Sequence, residues 1–461
     1  MAAPTMKQWV VDHPDKNMGG LSLIKASIPR VGVNEVLVKF QAAALNYRDC
    51  AIAKGTFPFA HKYPIVPVSD GAGVVVEVGS QVREFKKGDT VLTVFNQGHQ
   101  YGDIDPSAAS TGVGGTIDGV FRQYGVYNES GLVKAPKTLS ALESSTLPGA
   151  ALTSWNALYG LKPIKAGQCV LVQGTGGVSL FGLQLAKAAG AMVIATTSSD
   201  EKAKKLKELG ADHVINYRTT PNWGEVAREL TPDQAGVDCI MDIGGTDTLE
   251  QSFKCIKMEG IINLIGFLGA SDKPQPGLTE ALSHICTARG IYVGSRAMLK
   301  DMVQAFEAND IHPVLDPKVF NLEQGREAFE YLAAQKHFGY AAEPLVTALC
   351  HCVDCQKWTG GAFTSNVVVP RDTFKVTKGT PKFCDITGAS GKNNRHFFCG
   401  NCGSSLFTEL DIMSDKTVIK AGSLDNGEAN LRNKVDVEFY VKDRISYLGA
   451  VEGAKQEPHF G

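Results

Sequence analysis

The feature that most constrains this chain is an alternation that begins near residue 135. Short apolar runs take turns with helical stretches of ten or more residues. CVLVQ at 169–173 precedes a helical run carrying Leu180, Leu183, Leu185 and Ala186; AMVIAT precedes DEKAKKLKELG; HVINY precedes NWGEVAREL; VDCIMD precedes TDTLEQSFKCI; and IINLIG follows. Strands that are apolar along their whole length need cover on both faces, which intervening helices supply in a parallel sheet. The segment therefore reads as an α/β, doubly wound unit.

The rest of the chain has a different texture. At 461 residues it is too long for one core, and roughly 150 residues per domain predicts about three. From residue 7 to about 130 the runs KQWVV, EVLVKF, GAGVVVEVG and DTVLTVF, punctuated by Pro67, Gly79 and Gly88, predict a small, mostly β domain. Residues 97–118 read as a long loop of the kind that forms lids or surface excursions. Residues 290–340 return to mixed strand and helix, and FTSNVVV, TFKVT, HFFC, SLFTEL and TVIKAG predict a β-rich end. Of the 11 cysteines, Cys50, Cys169, Cys239, Cys255 and Cys286 are scattered over the first 345 residues, while six crowd into the last 116, so a domain boundary falls near 345.

Composition excludes several classes. A hydrophobic share of 43% with 20% charged residues describes a globular chain, and a net charge of -2 gives no footprint for nucleic acid. No apolar run approaches the roughly 18 residues a membrane span needs, and the first residues lack the apolar core of a signal peptide. The expectation is a cytoplasmic protein without a disulfide framework.

Directly after CVLVQ comes Gly174-Thr175-Gly176-Gly177-Val178-Ser179, then a helix carrying Gly182. Glycines let the backbone turn tightly and approach a pyrophosphate, whose charge is met by the free N–H groups and dipole of the helix start. Gly174, Gly176, Gly177 and Val178 are the candidate phosphate cradle, although Ser179 replaces the third glycine of the fingerprint. An acid at the end of the second strand would hold the ribose hydroxyls of NAD, but residues 194–197 are Ile-Ala-Thr-Thr. Thr197, Ser198, Ser199, Lys202, Tyr217 and Arg218 instead suit a 2′-phosphate, so NADP(H) is favoured. Ser198 also fits a helix N-cap, with Glu201 completing a capping box, and Lys202 also fits a solvated helix face.

The stretches LNYRDCAIAKG at 45–55, PVSDGAGVVVEVG at 67–79, LPGAALTSWNAL at 147–158, the GTGGVS turn and GADHVINY at 210–217 make residues 1 to about 340 resemble the medium-chain dehydrogenase/reductase superfamily, in its zinc-less, quinone-oxidoreductase-like branch. The resemblance implies a GroES-like catalytic domain over 1–134 and 285–343 and a Rossmann NADP-binding domain over 135–284. It also implies that Asn46, Tyr47 and Asp49 face the nicotinamide and that Thr153 lies beneath it. Tyr47 is the candidate proton donor and, equally, an aromatic filling the cleft wall. Zinc-dependent members carry ligands where this chain has Asn46, Ser69 and Ala150, and their structural-zinc lobe needs four cysteines where residues 95–118 have none. The implied activity is hydride transfer from NADPH to a small carbonyl, enone or quinone, in a homodimer.

Cys350, Cys352 and Cys355 place three thiols within six residues, and Cys399 and Cys402 form a CxxC knuckle. Such spacings converge on zinc. Cys384, alone, is expected as a buried thiol, and His351 and His396 as non-ligands. CHCVDCQKWTGGAF, VVPRDTF, FCGNCGSSLF and AGSLD make residues 346–461 resemble the glutathione-dependent formaldehyde-activating enzymes, also called centromere-protein-V-like. That resemblance implies a three-thiolate Zn²⁺ on Cys350, Cys352 and Cys355 and half of a four-thiolate zinc on Cys399 and Cys402. The upstream half of the second site is missing, and so is the final strand of the reductase, as a lossy fusion or a faulty gene model would leave them. One zinc shared between the clusters is a further possibility. Two other functional readings stand beside the reductase: a zinc-dependent carbon–sulfur lyase acting on glutathione–aldehyde adducts, and a non-catalytic NADP-binding regulator.

Overall fold

The structure is a computed structural model that describes residues 4–266, 276–316, 318–334, 346–350, 364–371, 380–387, 393–398, 404–414, 416–420, 435, 437–439, 441–443, 451 and 454–457. The chain divides into two compact units, residues 1–342 and 343–461.

In the first unit the apolar runs of the repeating segment form one six-stranded sheet, every neighbouring pair parallel. Its order is His213–Asn216, Met192–Thr197, Cys169–Gln173, Val237–Asp242, Ile256–Leu264, Thr287–Gly290. By chain order this is 3-2-1-4-5-6, the doubly wound arrangement whose ligand crevice opens where the direction of winding reverses. Cys169–Gln173 is buried at all five positions, which is why its sequence does not alternate. The helix Asp200–Glu208, by contrast, buries only Leu206, as expected from DEKAKKLKE.

The N-terminal runs form a five-stranded antiparallel sheet ordered Tyr124–Asn128, Glu35–Ala44, Asp70–Val78, Thr90–Thr93, Leu132–Lys134, with a hairpin of Thr5–Val11 and Leu21–Ser27 beside it. The chain returns to this part after the parallel sheet. Phe329, on the helix Gly325–Ala333, is fully buried in a core with Trp9, Ile52, Ile65 and Phe121, and burying such a ring contributes about 1.5–3 kcal/mol. Trp9 Nε1 donates to Leu322 O at 2.5 Å. A second core runs without a break from Leu92 and Phe95 of the antiparallel sheet region through Leu152 to Val172, Phe181 and Phe306. The loop at 97–118 contains one short helix, Pro106–Ala109, capped by Asp105.

The second unit is an eight-stranded sheet ordered Lys382–Thr387, Asn393–Phe398, Ser405–Leu410, Lys416–Lys420, Thr364–Pro370, Val346–Cys350, Val437–Phe439, Lys455–Glu457. Phe397 stacks on Phe407 at 4.3 Å. Cys384 corrects an expectation: it is only half-buried and is a free thiol, because its strand is the outermost of the sheet among the described residues. His396 is buried beside the Thr408 hydroxyl at 3.1 Å. The run TFKVT and residues His351, Cys352, Cys355, Cys399 and Cys402 lie outside the described residues.

Candidate active site

The reversal of winding falls between Cys169–Gln173 and Val237–Asp242, and the last residue of each strand guards it. Gln173 Nε2 donates to Asp242 Oδ2 at 3.1 Å and Ser252 Oγ at 3.0 Å, while its Oε1 accepts from the Ile243 and Gly244 N–H groups. Asp242 Oδ1 accepts from Gly245 N and the Thr248 hydroxyl. All these groups are internally matched, so the crevice floor is rigid. Gly174 follows with φ +78°, and its N–H meets Thr196 O at 2.9 Å. A side chain at Gly174 or Gly176 would meet open space, the room a pyrophosphate needs. The helix Gly177–Ala188 has no side-chain cap, so the N–H groups of its first turn stay open for an anion. Ser179 donates to Gln173 O at 2.5 Å. The close helix–sheet packing of the fingerprint's third glycine is met at Gly182, where an added Cβ would stand 2.4 Å from Met241 Sδ.

Thr197 ends its strand in register with Asn216, and the Tyr217 N–H donates to Thr197 O at 2.9 Å. The structure thus brings Thr197, Ser198, Lys202 and Tyr217 to one end of the sheet. The helix cap corrects the expectation for Ser198: Ser199 is the N-cap, accepting from Lys202 N at 3.3 Å, which leaves the Ser198 hydroxyl without that task. Thr197 Oγ1 is buried and has no partner among the described residues. The first carboxylate after the strand, Asp200, is engaged by Asn216 Nδ2 at 2.9 Å.

On the antiparallel side, Asn46 caps the helix Tyr47–Lys54 and Tyr47 is 46% exposed. Asp49 faces the other way. It is fully buried, and its Oδ2 accepts the Asn46 N–H at 2.8 Å. Burial, opposed in part by Arg48, pushes its carboxyl up to about 6. A second buried carboxylate, Asp70, accepts from the Ser69 hydroxyl at 2.6 Å and from Gly149 N at 2.7 Å. Burial, countered by Ser69 and reinforced by the charge of Asp49, raises it to about 7. Gly149 lies in a π-helical turn, Leu147–Ala151, that opens the helix carrying Thr153. Ser154 on that helix donates to Val178 O at 2.8 Å. Asp70 therefore ties the Asn46 side of the cleft to the glycine turn. Phe59, Phe95 and Tyr292 form an aromatic wall, with Tyr292 5.0 Å from Phe59 and 5.9 Å from Phe95.

Asn46, Ser69 and Ala150 offer a catalytic metal neither thiolate nor imidazole, and the Ser69 hydroxyl is spent on Asp70. This donor set does not fit zinc. Sequence reading passed over Arg48, Asp70, Asn96, Gln173 and Asp242, although Arg48 stands inside NYRD and Asp70 inside SDGAG.

Comparison with known proteins agrees with this architecture. The alcohol dehydrogenase GroES-like domain matches residues 32–137, the zinc-binding dehydrogenase model residues 177–308, and the glutathione-dependent formaldehyde-activating enzyme model residues 335–443. A zinc-type alcohol dehydrogenase-like protein of Schizosaccharomyces pombe is 47% identical over 67% of this chain and 90% of its own length. An acryloyl-coenzyme A reductase of Sulfurisphaera tokodaii is 32% identical over 72% and 98%. The solved quinone oxidoreductase of Pseudomonas syringae aligns with a TM-score of 0.61 at 26% identity, over 73% of this chain and 98% of its own. The chain belongs to the medium-chain dehydrogenase/reductase family, nicotinamide-dependent oxidoreductases, and carries a C-terminal formaldehyde-activating-enzyme domain.

Proposed function

We propose that the chain is an NADPH-dependent reductase of small carbonyls, enones or quinones that needs no metal for hydride transfer. The observation that carries the reading is the donor set at Asn46, Ser69 and Ala150, which leaves the site without zinc ligands while its coenzyme crevice is complete. Bound NADPH supplies the hydride. Gly174, Gly176, Gly177 and Val178 hold its pyrophosphate, and Thr197, Ser198, Lys202 and Tyr217 hold its 2′-phosphate. Thr153 supports the nicotinamide from below, Asn46 and Tyr47 face it, and Tyr47 hands on a proton from solvent. Asp49, buried behind them, is a positioning residue that fixes Asn46. The domain division 1–134 with 285–343, 135–284 and 346–461 belongs to this reading. So does a homodimer, for which the exposed Leu278, Leu282 and Ile285, close in sequence to the edge strand Thr287–Gly290, provide an apolar surface. Titrating NADPH and NADH, then assaying both against enones, quinones and aldehydes, tests the proposal: equal affinity, or turnover with neither, overturns it.

In the C-terminal domain we propose one zinc on Cys350, Cys352 and Cys355, open to a thiol adduct in a carbon–sulfur lyase reaction, with a second metal at Cys399 and Cys402 weak or absent. The backbone register supports separate sites. Cys350 and Phe398, which precedes Cys399, end their strands four neighbours apart, about 19 Å at the usual strand spacing. Metal analysis of a Cys352→Ser variant tests it, and retention of the full zinc content overturns it.

A further inference from the structure

Phe59 holds an aromatic ring half out in solvent at a point where everything around it is fixed. The residue is 50% exposed, yet Phe57 lies 5.4 Å from its ring at an interplanar angle of 59°, and Tyr292 lies 5.0 Å from it at 45°. Those two rings are themselves held. Phe57 is 7% exposed, and the Arg48 guanidinium spans Phe57 and Phe95, its Cζ 5.3 and 4.7 Å from their centroids. Phe95 in turn meets the Tyr292 ring edge-on at 5.9 Å. The loop is pinned as well: His61 Nδ1 donates to Phe59 O at 2.7 Å and Lys62 N to Gly115 O at 3.0 Å. A single exposed apolar side chain is ordinary. One braced by two rings on a pinned backbone is a pre-set surface, which loses little freedom when a ligand covers it.

The place of this ring follows from the sheet. Gly174 follows the first strand of the 3-2-1-4-5-6 order and Thr197 ends the second. On the proposed reading the adenosine half of the coenzyme therefore lies on their side, and the nicotinamide half runs over the carboxyl ends of the last three strands. Tyr292 comes two residues after the final one, Thr287–Gly290. Asn156 Nδ2 donates to Val293 O at 2.7 Å, and Arg289 Nη2 donates to Asn156 Oδ1 at 2.8 Å. These bonds fasten the segment to the helix Leu152–Tyr159, which carries Thr153. Phe59 arrives from the antiparallel side, on the loop after the helix Tyr47–Lys54. The Phe59–Tyr292 contact thus joins the two sides that bear the residues assigned to the nicotinamide.

We infer that Phe59 is a specificity-determining residue of the reductase site: an aryl group of the substrate stacks on its exposed face, so that aryl-bearing enones are selected over short alkyl ones. The inference rests on the proposed NADPH-dependent reductase reading and names the substrate class within it. The chemistry of the surface limits the occupant. A phenyl face carries no hydrogen-bonding group, and its quadrupole favours offset stacking or edge contact with another π-system. Phe59 therefore discriminates by planarity and size, at the end of the substrate that does not react. A contact of that kind is made equally before and during hydride transfer, so losing it raises KM and spares kcat.

The test measures NADPH oxidation by the full chain with trans-4-phenyl-3-buten-2-one and with 3-penten-2-one, which share the reacting enone and differ in phenyl against methyl. Wild type, Phe59→Ala, Phe59→Leu and Phe59→Tyr are compared, with NADPH affinity, thermal midpoint and inhibition by the saturated ketone 4-phenyl-2-butanone followed alongside. An aromatic pair contributes a factor of roughly 2 to 12 in affinity beyond the area it buries. The expected result for Phe59→Ala is a KM that rises roughly tenfold more for the phenyl enone than for 3-penten-2-one, a matching loss of inhibition by 4-phenyl-2-butanone, and a kcat within about threefold of wild type. Phe59→Tyr restores both constants, and Phe59→Leu, apolar but without a ring, does not. KM values that rise together or do not rise overturn the inference, as does a loss of NADPH affinity with the KM ratio unchanged, which would give the ring to the coenzyme. Wild type that reduces 3-penten-2-one but not the phenyl enone also overturns it and leaves the reductase reading intact. Wild type that binds NADPH but turns over no enone, quinone or aldehyde overturns that reading and the inference with it. Should Phe59→Ala not fold, Phe59→Leu and Phe59→Tyr carry the same comparison.

Discussion

Lys202 and Asp70 are the residues whose chemistry is easiest to isolate. Lys202 sits on the first turn after the Ser199 cap, and its ion pairs, among the described residues, include none with a carboxylate. A charge-assisted hydrogen bond to a phosphate contributes about 1.5–3 kcal/mol. Lys202→Ala is therefore expected to weaken NADPH binding by at least tenfold and leave NADH binding unchanged, as fluorescence titration of both cofactors would show. Asp70 makes a statement about pH. Its folded-state value, about 7, lies above its ordinary value of 3.8, so the folded state holds a proton that the unfolded chain releases earlier. Stability from this group is full below about pH 4 and is lost as pH rises through 7. Asp49, raised to about 6, acts in the same direction. Asp70→Asn, uncharged at every pH, should flatten the decline: relative to wild type it gains on the order of 2–4 kcal/mol between pH 4 and 8 in denaturant titrations. Parallel curves for the two proteins would refute the buried-acid assignment.

At the scale of elements, the π-helical turn Leu147–Ala151 is where backbone geometry meets the site. A Cβ on Gly149 would stand 2.6 Å from Asp70 Oδ2, so only glycine allows the N–H of this turn to reach the carboxylate. Gly149→Ala is expected to cost about 1–3 kcal/mol of stability, whereas Gly290→Ala, with open space around its Cβ position, should cost less. Chemical denaturation of the two variants compares them directly. The same elements show what sequence can reveal. CVLVQ and VDCIMD announce buried parallel strands because a strand covered on both faces has no polar positions to alternate with. The glycine turn is legible because strand, turn and helix are contiguous. Asp70 meeting Gly149 is not legible, since that contact joins positions 79 residues apart that only the packed fold brings together. The one-residue shift of the helix cap to Ser199 has a local cause: the Tyr217 N–H pairs with Thr197 O, carrying the extended backbone past the strand end. Cys384 differs because edge position in a sheet is a property of strand order, which spacing does not encode.

For the whole molecule, the decisive contrast lies between an oxidoreductase unit with neither thiolate nor imidazole at Asn46, Ser69 and Ala150 and a C-terminal domain rich in thiols. If hydride transfer depends on Asn46 and Tyr47, and metal belongs only to Cys350, Cys352 and Cys355, removing metal leaves the first activity untouched. Among the described residues no helix is long and apolar enough to cross a membrane. The most direct measurement is the NADPH oxidation rate of the full chain with a conjugated enone, before and after zinc is stripped by a chelator, with zinc content and NADPH affinity followed in the same samples. The account predicts that about one equivalent of zinc leaves while the rate stays within roughly twofold. A rate that collapses with NADPH affinity intact and returns on adding zinc would contradict it.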